Sequence, residues 1–159
     1  MEEAKQTFDW PPLESNPEIF TSYMHKIGLD PANAVGEVFG FDEELLAFLP
    51  QPIHAVIVNF ERLKKDEDKT KGDEGNNGLV DFYMKQSGTL DNACGVIACL
   101  HGVLNTDVPV KADTILAKHK AATAGMTPVE RCTALESNNE FKEAHAASAG
   151  EGGSAMPGD

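Results

Sequence analysis

The sequence predicts a mixed α/β fold of the α+β type in one domain, and three observations carry that prediction. Two short runs, "PIHAVIVNF" (52–60) and "LVDFYMKQ" (79–86), have the β-branched or alternating apolar character of strands. Five other segments combine cap residues with apolar side chains at helical spacing. A length of 159 residues suits a single domain with a real core.

In "NPEIFTSYMHKIGL", Asn16 is placed to cap a helix, Pro17 suits its first position and Glu18 favours its positive end. Ile19, Phe20, Tyr23 and Ile27 form its apolar stripe and Gly28 is the expected stop. A third extended piece is expected near Trp10. "FDEELLAFLP" predicts a short helix capped by Asp42, with Pro50 shortly after its end. The apolar run at 52–60 predicts a strand buried on both faces, and His54 near its start reads as a structural residue, since no second ligand lies at a helpful spacing. Residues 62–78, mixing charges with Gly and Asn, predict a solvated surface loop. In the next run Val80, Phe82 and Met84 share one face, and Leu79, Asp81 and Tyr83 the other.

"KADTILAKHKAATAG" predicts a helix with Asp113 as cap and Gly125 as stop. "MTPVERCTALESNN" opens on a capping box of Thr127 and Glu130, with Pro128 first in the turn. "AASAGEGGSAMPGD" lacks large apolar residues apart from one Met and predicts disorder or a loop. Two strands make a thin sheet for a run as apolar as "HAVIVNF", so the sequence reads as a sheet with part of its strands missing.

A net charge of −13 argues against nucleic acid or an anionic membrane surface as partner, because both would repel the chain. No run approaches the ~20 apolar residues of a membrane span. "MEEAKQTFDW" carries acids where a signal peptide has a basic region and an apolar core. Three cysteines without a CxxC suggest neither a disulfide framework nor a zinc site. The setting expected is reducing and cytoplasmic; no metal and no cofactor is implied.

Within "MKQSGTLDNACGVIACLHGVLN" (84–105), Asp91 or Asn92 is placed to cap a helix, which puts Cys94 in its first turn. A thiolate there meets the positive end of the helix and its unpaired N–H groups, which can also donate to an oxyanion. Gly95 leaves room for a substrate backbone, while the carboxylate of Asp91 opposes a thiolate. Val96, Ile97, Ala98, Leu100, Val103 and Leu104 make the helix apolar nearly all round, hence central, with Cys99 as plain core. His101 lies seven residues on, roughly 10 Å along the axis, too far for direct proton transfer, and reads as structural. By position alone Cys94 is either a buried small hydrophobe or a nucleophile.

"YMKQSGTLDNACG" decides between them, because it resembles the active-site segment of the ubiquitin carboxyl-terminal hydrolases, the small papain-like cysteine deubiquitinases. Gln86 precedes the Asn-Ala-Cys-Gly motif at 92–95; "PLESNPEIF", "GFDEELLAFLPQPIHAVIVNF" and "MTPVER" extend the resemblance over most of the chain. The resemblance implies a papain-like fold with a central antiparallel sheet flanked by helices. It makes Cys94 the nucleophile that attacks the C-terminal glycine of ubiquitin or a related modifier, and Gln86 an oxyanion donor. It implies a general-base His and an orienting Asp on later strands, to which no residue of this sequence corresponds; His145 is not the matching position. Residues 1–147 are accordingly expected to be the N-terminal part of the catalytic domain, and 148–159 the flexible start of a loop crossing the active site. With those strands missing the 159 residues are expected to be impaired in hydrolysis, whether they are a truncated piece, one chain of a cleaved or split enzyme with a complementary C-terminal chain, or a partial gene product. The rival readings are a non-catalytic ubiquitin-binding module with Cys94 idle, and a redox-sensitive thiol, for which Cys99 is a poorly placed partner.

Overall fold

The computed structural model describes residues 8–60 and 80–153. The loop expected at 62–78 lies outside the described residues, as do the last six of the segment 148–159. Six helices succeed one another: α1 (Pro17–Ile27), α2 (Glu43–Leu46), α3 (Cys94–Leu104), α4 (Ile115–Ala122), α5 (Pro128–Glu136) and α6 (Asn139–Glu151).

Local chemistry sets most of their ends. The Asn16 side chain accepts from Glu18 N at 2.9 Å, and Pro17 opens α1. Gly28 closes it at φ 124°, so tightly against α4 that an added Cβ would lie 2.1 Å from Thr114 Oγ1. Thr127 and Glu130 form the expected reciprocal box before α5. Two caps outside α3 differ from expectation. Asp113 has a left-handed backbone (φ 59°), whereas a cap needs an extended one, so Thr114 caps α4 and accepts from Ala117 N. Asp42 precedes α2 without a side-chain cap bond, and this helix is a single turn with no buried residue.

Helix α3 is the centre of the core, as its all-round apolarity predicts. Val96, Leu100 and Leu104 are buried in one apolar cluster with Trp10, Tyr23 and Phe82, among others. Cys99 is buried too, and burial pushes its thiol up to about 12.

Among the described residues there is no strand, only an isolated antiparallel bridge between Leu29 and Val110. The expected sheet is therefore not present in them, and the two predicted strands fare differently. Residues 52–60 belong to no ladder and are exposed throughout, with Val58 75% and Phe60 81% exposed. A strand exists only by pairing, and no described segment offers this run an edge. His54 is exposed with the rest of it. In the second run Phe82 and Met84 are buried while Asp81, Tyr83 and Lys85 are exposed, the expected period of two, although Val80 is itself exposed. The piece near Trp10 is likewise no strand, though Trp10 is fully buried.

The C-terminal expectation is corrected as well. Residues 146–151, read as a loop and in part as the start of a crossover loop, are the last turns of α6. Alanine favours a helix, and the small side chain of Ser148 lets α6 lie close along α1: Ser148 is fully buried, and Lys26 reaches both its hydroxyl (3.4 Å) and the Glu151 carboxylate.

Candidate active site

Cys94 is the first residue of α3, and of the three cysteines it alone is exposed. Its helix starts without the expected side-chain cap: Ala93, not Asp91 or Asn92, stands at the cap position with φ −90° and ψ 14°. Asp91 and Asn92 belong to the preceding turn, closed by Ala93 N donating to Leu90 O at 3.0 Å. The first-turn N–H groups beside Cys94 thus receive no side-chain cap bond from Ala93.

Gly95 serves a different purpose from the one expected. An added Cβ would lie 2.9 Å from Phe20 Cζ and 3.8 Å from Leu13 Cβ. The space is taken by α1 and the segment before it, so the glycine permits a close approach of helices rather than of a substrate backbone.

Gln86 is exposed at the end of the alternating run. Its Nε2 donates to Leu90 O at 3.0 Å and to Asp91 O at 2.9 Å, clasping the turn that leads into α3. Both amide hydrogens are engaged there, so donating to an oxyanion requires exchange of one of these bonds. Helix α5 braces the same turn. Glu136 Oε1 accepts from Thr89 N at 2.7 Å and from Thr89 Oγ1 at 3.1 Å, and Ser87 Oγ lies 3.2 Å from Cys132 Sγ.

The run that delivers Gln86 is held by side chains in place of a neighbouring strand. Asn105 Oδ1 accepts from Phe82 N at 2.8 Å, and Asn105 Nδ2 donates to Phe82 O at 2.7 Å, as a paired strand residue would. His101 Nε2 accepts from Met84 N at 3.1 Å. From α5, Arg131 Nη1 donates to Tyr83 O at 3.0 Å with its guanidinium over the Phe82 ring, and Pro128 O accepts from Lys85 N. His101 is structural in these contacts, as the sequence predicts, whereas no expectation from the sequence singles out Asn105. The available signal was a His and an Asn four residues apart on an otherwise apolar helix.

The histidines are committed elsewhere or lie on the open run. His25 bonds Asn33 O at 2.7 Å. His145 is fully buried, shares a hydrogen bond with Pro11 O and packs edge-on to Trp10, with ring centroids 5.0 Å apart. His119 is buried against Phe141, and burial lowers its pKa to about 4. Among the described residues no group of three His, Cys, Asp or Glu converges in a way that could hold a metal ion.

Comparison with known proteins gives a consistent result. A family model described as ubiquitin carboxyl-terminal hydrolase, family 1, matches residues 10–159. The chain is 37% identical over 150 residues to a protein of Drosophila melanogaster called ubiquitin carboxyl-terminal hydrolase, covering 90% of this chain and 65% of that one. It is 35% identical over 152 residues to ubiquitin carboxyl-terminal hydrolase 3 of Arabidopsis thaliana, covering 90% and 64%. A relative in Aplysia californica is 36% identical over 154 residues, covering 93% and 70%. The chain thus spans about two thirds of the length of these relatives, 64% to 70%.

Proposed function

Because the chain belongs to ubiquitin carboxyl-terminal hydrolase family 1, we propose that Cys94 is the nucleophile of a thiol-dependent deubiquitinase. The observation that carries this is the placement of the one exposed cysteine as the first residue of the buried central helix. Its sulfur would attack the carbonyl carbon of the C-terminal glycine of ubiquitin or a related modifier. The carbon–sulfur bond forms as the bond to the leaving amine or alcohol breaks, and the leaving group takes up a proton. Water then cleaves the thioester, returning the modifier's carboxylate and the thiol. Gln86 and the first-turn N–H groups of α3 would stabilise the oxyanion.

The base is not assigned to any of the five histidines. By the contacts above, four are bonded or buried within the fold, and His54 sits beside Ala55. Ala55 lies near Gly102, about 12 Å along α3 from Cys94. The 159 residues alone are therefore expected to turn over slowly, since loss of a triad member costs several powers of ten. A cytoplasmic, cofactor-free setting belongs to the same proposal.

Hydrolysis of ubiquitin carrying a fluorogenic C-terminal amide tests it. The 159-residue chain should release fluorophore at a low rate that Cys94→Ala abolishes. Ubiquitin binding that persists in Cys94→Ala, with no cleavage by either chain, would identify a binding module instead.

A further inference from the structure

We propose that His101 is a positioning residue for Gln86, holding the run 82–86 in register on α3 so that the Gln86 amide arrives beside the first turn. The inference rests on the reading of Gln86 as the oxyanion donor.

The register follows from two repeats. His101 on α3 and Asn105, the residue that caps its end, are four residues apart, about 6 Å along the helix axis. They bond the backbones of Met84 and Phe82, two residues apart, about 6.6 Å along a strand-like chain. The spacings match, and the chain runs antiparallel to the helix. Two residues beyond Met84 comes Gln86, and four before His101 comes Ile97, three residues and about 4.5 Å from Cys94. Freeing Met84 would leave no α3 side chain fixing the height of the run next to Gln86, which would then be placed only by the Lys85–Pro128 bond to α5 and by its own clasp on the turn.

His101 is built for this as a neutral ring. Nε2 must be unprotonated to accept the Met84 N–H. The ring stacks on Tyr83 (centroids 5.4 Å apart, planes at 19°) and meets Phe82 edge-on. Burial holds its pKa below the ordinary histidine value; the hydrogen bond with Met84 opposes this and the Arg131 charge adds to it. Protonation would set an N–H against the Met84 N–H and break the tie.

The test uses nuclear magnetic resonance of the 159-residue chain from about pH 8 to about pH 5, the window in which histidine titrates. The Met84 backbone amide and the Gln86 side-chain amide should shift with the midpoint of the His101 ring. In His101→Gln, which keeps an acceptor but cannot titrate, neither should move over that range. A Gln86 amide that stays fixed while Met84 titrates would overturn the proposal. In parallel, adduct formation with a ubiquitin C-terminal aldehyde should slow about tenfold in His101→Phe, which keeps the stack without the acceptor, and recover in His101→Gln. If Gln86→Ala forms the adduct as fast as the unaltered chain while the two amides still move together, the oxyanion reading of Gln86 fails and the positioning role stands.

Discussion

Replacing Asn105 by Leu removes a side chain that stands in for a neighbouring strand. The amide satisfies both backbone groups of Phe82, at 2.8 and 2.7 Å, and a third contact reaches His101 O at 2.9 Å. Phe82 is only 6% exposed, so water cannot readily replace the lost partners. Each buried backbone group left unsatisfied costs about 1–3 kcal/mol. The variant should therefore lose about 3 kcal/mol, with leucine retaining most of the volume. With a urea dependence of roughly 2 kcal/mol per molar, the unfolding midpoint should fall by about 1.5 M. Circular dichroism at increasing urea measures this directly. A shift below about 0.3 M at unchanged slope would mean that Phe82 is held by its apolar packing and that the ladder-like bonds contribute little.

Acid should weaken the fold through buried histidines. His119 has a folded pKa of about 4 against an ordinary 6.5, so the unfolded chain takes up its proton first as pH falls. Its contribution is complete above pH 6.5 and is lost towards pH 4, about 3 kcal/mol in all. His119→Leu should flatten the pH dependence of the urea midpoint over that window; an unchanged slope would refute the assignment. Gly95→Ala should cost about 1–3 kcal/mol through collision with Phe20, with part recovered in the double variant with Phe20→Leu; purely additive losses would show that the two residues do not press on each other. The apolar side chains exposed along 52–60 should bind a hydrophobic dye such as anilinonaphthalene sulfonate in the folded chain. Substituting Val58 and Phe60 by Ser should reduce its fluorescence, and an unchanged signal would place the dye elsewhere.

What was legible in the sequence was local. Asn16, Pro17 and Glu18 announce α1 because a cap acts within three residues, and Thr127 with Glu130 announce α5 for the same reason. The alternation of Phe82 and Met84 with exposed neighbours was readable because side-chain direction follows from backbone geometry. The fate of 52–60 was not, since β-branched composition says a segment can pair but not that an edge is available. Residue type makes Asp113 the expected cap of α4, and its left-handed backbone, which passes the role to Thr114, does not show in a sequence. The end of α6 looked like a loop because its stability comes from burial of His145 and Ser148 against distant segments. At the site, Cys94 and Gln86 could be singled out by a motif. Asn105, the clasp of Gln86 on the turn, and the filling of the space beside Gly95 all depend on contacts remote in sequence.

The most direct measurement is covalent labelling of the 159-residue chain by ubiquitin bearing a C-terminal electrophile, read by intact mass beside Cys94→Ala. One adduct per chain is expected, absent from the variant, with Cys99 and Cys132 unmodified in their buried positions. An adduct that persists in Cys94→Ala, or none with a chain that a small alkylating agent still modifies at Cys94, would contradict the assignment of Cys94 as the nucleophile for ubiquitin's C-terminus.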